Sequence, residues 1–358
     1  MLYLIDTIGN ETGLNLYDKA FLNAFSKNGR DVVVLSNFED DGVRPMLLNF
    51  YHGNTFKKIF GLIVSWVKLF FFVLKHPKDS FFYQSFGLRF IDMIFLLLFI
   101  KRKTLFVIVH DVFEITDGKK GDFKKKMQVY IYTHWIKNVL CHSNLSEKIL
   151  KEEVHYTGNI LRFPHFQYDF DKHFDESSID SEVKNAVVEG KNNFLFFGQI
   201  RESKGIDVLI DAIGLLEGDE SLNIIIAGSD KYGLMSSVKL PQNVKLICRY
   251  IRDDELSFLF TKAQAVILPY KEIFQSGVLE MVVYFRKFAI MSDVRAFQEF
   301  VNLYPSFGVT YSPNIGTSLA ACMKNNLVIP PYSQDDICKY QNDRDVSNLI
   351  RQIDSLCL

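Results

Sequence analysis

The sequence has few cysteines and no pattern among them. Five cysteines are scattered over 358 residues without a C-x-x-C pair, which excludes a zinc-binding or disulfide framework and favours a reducing compartment. The sequence also lacks internal repeats, low-complexity tracts and a basic, cleavable N-terminal leader, so we expect a cytoplasmic protein of two globular domains. The net charge of −1 argues against binding to nucleic acid.

Long uninterrupted hydrophobic runs are also missing, although two segments come close. Residues 57–78 and 89–103 are strongly apolar with basic ends, but Lys68 interrupts the first and Asp92 the second, and a bilayer span needs about 20 apolar residues. Three interpretations are open: both segments are buried core helices, one or both lie at a membrane interface with their lysines reaching the headgroups, or one of them spans the bilayer. Residues 1–165 carry 22 Lys+Arg against 16 Asp+Glu, a net +6, whereas the rest carries 19 against 26, a net −7. Both segments therefore lie in the basic half.

What the sequence does contain is an alternation of strand and helix patterns. Apolar, β-branched runs such as DVVVLS and LNIIIAGSD alternate with helical segments in two series, which a polar and acidic stretch separates. This alternation predicts an α/β fold with two Rossmann-like parallel-sheet domains that face a cleft. The predicted organisation is an N-terminal domain over 1–168, a linker over 169–192, a C-terminal domain over 193–340, and a C-terminal helix over 341–358 that could pack back on the N-terminal domain.

Two basic residues follow the end of one predicted strand. In the stretch FFGQIRESKG the strand ends at Gly198, and Arg201 and Lys204 follow before the next helix. A glycine lets the backbone approach a ligand closely, and fixed cations beside a helix N-terminus suit a diphosphate. The alternative interpretation is a solvated loop. The P-loop pattern GxxxxGK[ST] is absent, so a phosphate site of that type is not predicted.

A second strand end, in the stretch LPYKEIFQSGVLE, holds two glutamates eight positions apart. Glu272 lies in the loop, and Glu280 falls one turn into the next helix. That helix begins with Gln275, Ser276 and Gly277. Free N–H groups at a helix start suit phosphate or sugar oxygens, and a carboxylate accepts hydrogen bonds from vicinal sugar hydroxyls. These residue types in this order predict a site for a sugar nucleotide.

The stretch FGQIRESKG followed by LPYKEIFQSGVLE resembles the donor-binding domain of retaining glycosyltransferases of family 4, which have a two-Rossmann-domain fold called GT-B. The spacing of Glu272 and Glu280 meets the E-x7-E motif of that family. The resemblance implies that Arg201 and Lys204 hold the donor diphosphate, that Glu272 contacts the transferred sugar, and that Glu280 contacts the nucleotide ribose. It also implies that residues 275–277 lie along the donor. The C-terminal domain would then bind the donor and the N-terminal domain the acceptor.

The same resemblance assigns residues of the N-terminal domain. Members of this family often carry a histidine that faces the transferred sugar, and FVIVHD puts His110 at such a strand end; a satisfied core histidine is the alternative. Gly9 and Gly13, in TIGNETG, match the glycine-rich first loop near the donor phosphates. The lysine-rich residues 117–128 are either a solvated loop or a contact for anionic lipid headgroups.

The implied reaction is transfer of a hexosyl group, with retained configuration, from a UDP- or GDP-sugar to a lipid-linked saccharide acceptor, in the synthesis of a surface polysaccharide or glycolipid. No cofactor and no metal ion are expected, because no D-x-D motif stands between a strand and a loop. The implied location is peripheral, on the inner face of the cell membrane. Two alternatives are a nucleotide-sugar epimerase of the same architecture and a non-catalytic, nucleotide-sugar-binding assembly partner.

Overall fold

Two compact units, each built on one parallel β-sheet, make up the chain. The computed structural model describes residues 1–9, 15–50, 53–100, 102–113, 122–170 and 172–357. Unit 1 consists of Met1–Asp169 together with Asp343–Leu358, and unit 2 is Phe170–Asn342. The segment 169–192 contains a helix and belongs to unit 2 from Phe170 onward.

The strands and helices alternate along most of the described chain. The strands are β1 (Leu2–Ile5), β2 (Val32–Ser36), β3 (Val43–Pro45), β4 (Ser80–Phe86), β5 (Leu105–Asp111), β6 (Asn138–Cys141), β7 (Asn159–Arg162), β8 (Asn192–Phe197), β9 (Leu222–Ala227), β10 (Val244–Ile247), β11 (Ala265–Leu268), β12 (Phe288–Ser292) and β13 (Gly308–Tyr311). The helices are α1 (Asn15–Ser26), α2 (Thr55–Lys75), α3 (Phe90–Leu96), α4 (Asp122–His134), α5 (Asn144–Glu152), α6 (Ser181–Ala186), α7 (Ile206–Leu215), α8 (Asp253–Lys262), α9 (Gly277–Tyr284), α10 (Arg295–Leu303), α11 (Gly316–Asn325), α12 (Gln334–Asp343) and α13 (Ser347–Cys357).

Both sheets are doubly wound. The strand order is β3-β2-β1-β4-β5-β6-β7 in unit 1 and β10-β9-β8-β11-β12-β13 in unit 2, and the paired strands run parallel. In each sheet the strand order reverses direction at one pair of neighbouring strands. This pair is β1 and β4 in unit 1, and β8 and β11 in unit 2. In open α/β sheets, ligands bind beyond the carboxyl ends of the strands at such a reversal. The predicted α/β fold with two parallel sheets is thus confirmed.

The central strands form because their residues are apolar on both faces. Every residue of β1, β9 and β11 is buried, as expected for parallel strands covered by helices on both sides. Three strands, β3, β7 and β13, are not predicted by the sequence pattern. All three lie at a sheet edge and are short and partly exposed, so they lack the continuous apolar run that marks a buried strand.

Helix α2 has one buried face and one exposed apolar face. Asn54 caps its N-terminus by accepting a hydrogen bond from the Lys57 N–H at 2.9 Å. The buried face consists of Gly61, Ser65, Leu69, Phe72 and Val73. The exposed apolar side chains are Phe56, Ile59, Phe60, Ile63, Val67, Phe70, Phe71 and Leu74. The core interpretation of residues 57–78 therefore holds for only one face of the helix, and contact with a membrane stays a prediction. Within the described ranges, no helix has the length and apolar character needed to cross a bilayer.

Candidate active site

Close backbone contacts shape the loop after β8. Gly198 has φ +114°, and a β-carbon on Gly228, which follows β9, would lie 1.8 Å from the Gly198 carbonyl oxygen. Gly205, with φ +68°, ends the 3-10 turn Glu202–Lys204. A β-carbon on Gly205 would lie 1.8 Å from the carbonyl oxygen of Pro269. The loop can pack against the end of β11 only because residue 205 is glycine.

The loops after β8 and β11 are joined side by side. The backbone N–H of Lys271 donates to the carbonyl oxygen of Ser203 at 3.0 Å. The Lys204 ammonium lies 3.6 Å from the centre of the Tyr270 ring, which is a cation–π contact, and Tyr270 is completely buried. The structure thus brings Lys204 to the loop that leads to Glu272. The two strands concerned flank the reversal in the sheet of unit 2.

Arg201 and Glu272 differ in their exposure. Arg201 is half-buried, and its Nε atom is buried without a hydrogen-bond partner in the part of the chain that the structure describes. Buried donors normally have an acceptor, and a guanidinium N–H bonds most strongly to an anionic oxygen. Arg201 is therefore suited to bind a phosphate. Glu272 is exposed, so its carboxylate is accessible to a ligand.

The helix predicted to start at residues 275–277 begins at the last of them, Gly277, and Gln275 and Ser276 precede it. Ser276 caps α9 by accepting a hydrogen bond from the Leu279 N–H at 3.2 Å, and Gly277 is the first helical residue. Glu280 is buried, and the hydroxyl of Tyr340 in α12 donates to its Oε2 atom. The sequence analysis did not identify Tyr340, because it lies 60 residues from Glu280 in the chain. Tyr340 therefore orients the carboxylate that was predicted to hold the ribose.

In unit 1, hydrogen bonds to an aspartate side chain shape the loop after β1. The Asp6 carboxylate accepts hydrogen bonds from the N–H groups of Ile8, at 2.9 Å, and Gly9, at 2.7 Å. Gly9 has φ +74°, a conformation that favours glycine. Asn37, which follows β2, also holds this loop, because its side-chain amide donates to the Ile8 carbonyl oxygen at 3.2 Å. Gly13, the other glycine predicted here, lies outside the described residues.

His110 is buried near the carboxyl end of β5. Its ring stacks on Phe86 at 4.3 Å and meets Tyr17 edge-on at 4.6 Å, and its Nε2 atom lies 3.1 Å from Oε1 of Gln84. Burial, with the nearby His142 and His165, holds the pKa of His110 well below its usual range. His110 is thus an uncharged, hydrogen-bonded imidazole, and its contact with the transferred sugar stays a prediction.

The polar residues around His110 were not among the predicted site residues. Hydrogen bonds and ring contacts connect these residues. They are Asp6, Tyr17, Asp18, Gln84, His142 and His165. Two of them carried a local signal. Asp6 directly follows the buried strand β1, and Gln84 is a lone amide within β4, where it is buried. A polar group in such a position needs a buried partner.

His165 should make the stability of the protein pH-dependent. Its Nδ1–H donates to the Phe166 carbonyl oxygen at 3.0 Å, and burial lowers its pKa to about 4. Above pH 6.5 the residue is neutral in both states. As the pH falls from 6.5 to 4, only the unfolded chain takes up the proton, so the free energy of unfolding decreases. Between pH 7 and 4.5 we expect His165 to account for about 2 kcal/mol of this loss.

Urea titrations of the wild type and His165→Asn at pH 7 and 4.5 would test this expectation, because asparagine keeps a donor for Phe166 and does not titrate. The loss of stability on acidification should be smaller in the variant. Equal losses in both proteins would contradict the assignment.

Comparison with known proteins identifies the domain that carries these loops. Residues 178–323 match the family model described as glycosyl transferases group 1. These residues form a glycosyltransferase domain. The predicted enzyme class, a glycosyltransferase, is thus confirmed. No curated protein sequence matches the chain.

Solved structures of glycosyltransferases share the fold of the whole chain. Sucrose-phosphate synthase from Thermosynechococcus elongatus has a TM-score of 0.73 and 14% identity, over 99% of this chain and 97% of that chain. HepE from Anabaena in complex with UDP-glucose has a TM-score of 0.63 and 14% identity, over 99% and 96%. WaaG, a glycosyltransferase involved in lipopolysaccharide biosynthesis, has a TM-score of 0.62 and 13% identity, over 97% and 95%. The predicted GT-B fold is therefore confirmed.

A metal site was not expected from the sequence. Among the residues that the structure describes, no group of three or more His, Cys, Asp or Glu side chains could hold a metal ion. Transfer without a metal ion stays a prediction.

Proposed function

We propose that this glycosyltransferase is a retaining enzyme of family 4, which moves a hexosyl group from a UDP- or GDP-sugar to a lipid-linked saccharide acceptor in the synthesis of a surface polysaccharide or glycolipid. The observation that carries the proposal is the junction of the loops after β8 and β11. There Gly205 packs on Pro269 and Lys204 on Tyr270. The junction lies at the sheet reversal, where folds of this kind bind their ligands.

The donor would lie along this junction. Lys204 and the unpartnered Nε of Arg201 supply positive charge for the diphosphate, and the capped start of α9 supplies backbone N–H groups. Glu280, oriented by Tyr340, accepts from the ribose hydroxyls. The structure of HepE with UDP-glucose supports a nucleotide-sugar donor for a protein of this fold.

The reaction breaks the bond between sugar C1 and the diphosphate oxygen. The acceptor hydroxyl oxygen bonds to C1 on the same face, and the proton of that hydroxyl passes to the leaving diphosphate. Positive charge develops at C1 while negative charge develops on the leaving diphosphate. Lys204 and Arg201 stabilise the second charge electrostatically. The exposed carboxylate of Glu272 contacts the transferred sugar, so its hydrogen bonds can strengthen as C1 becomes positive.

The surface of α2 supports a membrane-bound acceptor. Its outer face exposes eight large apolar side chains, including Phe56, Ile63 and Leu74, and its lysines 57, 58, 68 and 75 are exposed as well. No acidic residue occurs between Asp41 and Asp79. Apolar side chains with lysines and without acidic groups suit the surface of an anionic bilayer. We therefore place the enzyme on the inner face of the cell membrane as a peripheral protein.

Incubation with a panel of UDP- and GDP-sugars, with and without lipid-linked saccharides, would test the function. We expect nucleoside diphosphate release that depends on the lipid acceptor, and a product with the anomeric configuration of the donor by NMR. Inverted configuration would exclude the retaining mechanism. Interconversion of nucleotide sugars without transfer would indicate an epimerase, and donor binding without any turnover would indicate an assembly partner.

The two glutamates should have separable effects. Glu272→Ala should lower kcat about tenfold or more with little change in KM for the donor, because a contact to the reacting sugar strengthens in the transition state. Glu280→Ala should chiefly raise KM for the donor, because the ribose is held equally in both states. Tyr340→Phe, which removes only the hydroxyl that orients Glu280, should raise KM less. Full turnover in Glu272→Ala with the authentic donor would refute the role of that loop.

A further inference from the structure

A buried hydrogen-bond chain links the first loop of unit 1 to His110. It begins at Asp6 and continues through Asp18 in α1 and Gln84 in β4 to His110 in β5, and each of these four residues is at most 3% exposed. The carboxyl groups of Asp6 and Asp18 interact with each other, and this interaction raises the pKa of Asp18. The Gln84 amide donates to Oδ1 of Asp18, and its Oε1 atom lies 3.1 Å from Nε2 of His110.

The contact between the two carboxyl groups requires a proton. Two buried carboxylates would repel each other strongly, so one of the pair must be protonated to donate a hydrogen bond. The two groups have different surroundings. Asp6 accepts from the N–H groups of Ile8 and Gly9 and from the Ser36 hydroxyl at 3.2 Å. Three donors stabilise a carboxylate, so Asp6 is the ionised member.

Asp18 has the surroundings of a carboxylic acid. Its Oδ1 atom accepts from Gln84, whereas no N–H or hydroxyl group among the described residues reaches its buried Oδ2 atom. A proton on the Asp18 carboxyl group removes the repulsion between the two acids. Burial raises the pKa of both groups, and the neighbouring Asp6 further raises that of Asp18, to well above its usual range.

We propose that Asp18 is a permanently protonated positioning residue, which fixes the orientation of the Gln84 amide and thereby the tautomer of His110. Because the Gln84 N–H group points to Asp18, its carbonyl oxygen must accept from His110. His110 therefore carries its proton on Nε2, and its Nδ1 atom has the lone pair. The effect on turnover rests on the function proposed above, whereas the proton and the tautomer can be observed without any substrate.

Two isosteric substitutions separate the roles of the acids. In Asp18→Asn the amide can donate to Asp6 and accept from Gln84, so both hydrogen bonds survive. We expect an unchanged midpoint of urea unfolding. In Asp6→Asn an amide NH₂ group replaces a carboxylate oxygen that accepts hydrogen bonds, so donors around it lose their acceptor. We therefore expect turnover to fall about tenfold or more, and the midpoint of urea unfolding to be lower. The opposite ranking would place the proton on Asp6 and overturn the proposal.

Spectroscopy on the full chain tests the proton and the tautomer independently of activity. At neutral pH the infrared spectrum should contain the C=O band of a buried carboxylic acid that Asp18→Asn removes. The ¹⁵N NMR shifts of His110 should show a protonated Nε2 in the wild type and in Asp18→Asn, whereas Gln84→Met should lose this preference. The proposal would be refuted if the carboxylic acid band persisted in Asp18→Asn, or if Nδ1 of His110 were protonated in the wild type. Both outcomes can be observed even if no activity is found. If both spectra are as expected but no donor is turned over, the proposed function fails instead.

Discussion

Replacement of Ile59, Ile63 and Phe71 by serine should abolish the binding of the protein to anionic vesicles. These side chains are 53%, 56% and 57% exposed on the outer face of α2, so the substitutions should leave the fold unchanged. Burial of a large apolar side chain contributes about 1.5–3 kcal/mol, and half of that for each of the three amounts to about 2–4.5 kcal/mol, or about 40- to 1,600-fold in partitioning. Flotation with vesicles of increasing anionic lipid content would measure the loss.

A matched control is available in unit 2. Leu215, Leu303 and Val328 are also exposed apolar residues, and their joint replacement by serine should not change vesicle binding. Binding of the wild type should fall with added salt, since the lysines of α2 contribute through screened charge. Undiminished binding in the α2 variant, or no binding of the wild type to any lipid mixture, would contradict the membrane assignment.

Arg201→Ala and Lys204→Ala should each weaken the binding of UDP or GDP about ten- to hundredfold, because a hydrogen bond from a charged group contributes about 1.5–3 kcal/mol. Isothermal titration calorimetry would measure both affinities. Lys271→Ala is the control: this lysine lies in the adjoining loop, but its ammonium is paired with Asp207 at 2.6 Å. We expect a change of no more than about twofold there. Unchanged affinity in both test variants would refute the diphosphate site.

The sequence was sufficient to locate the loops of unit 2 because their signals are local. Gly198, Arg201 and Lys204 follow one apolar run, and Glu272 follows another. In a doubly wound sheet the ends of such runs meet at one edge, so adjacency follows from topology. The hydrogen bond between Tyr340 and Glu280 and the chain from Asp6 to His110 could not be predicted this way. Their partners lie far apart in the sequence, and no periodic pattern specifies which buried polar groups pair.

Helix α2 shows a different limit of sequence reasoning. Its residues are apolar around most of the helix, so the usual contrast between an apolar and a polar face is weak. A pattern of this kind does not distinguish a side chain that packs on the sheet, such as Leu69, from one that faces outward, such as Ile63. The polar residue Ser65 is in fact on the buried face, where its hydroxyl accepts from the Leu48 N–H at 2.8 Å.

The return of α13 to unit 1 has a consequence for the order of folding during synthesis. Arg30 pairs with Asp354, and Ser80 contacts Cys357 at 3.3 Å, so the first part of unit 1 has partners that are synthesised only after unit 2. Unit 2 is continuous and is complete at Asn342. Domains usually become complete in the order of their synthesis. Here unit 2 has all of its residues before unit 1, which is complete only once α13 has been synthesised.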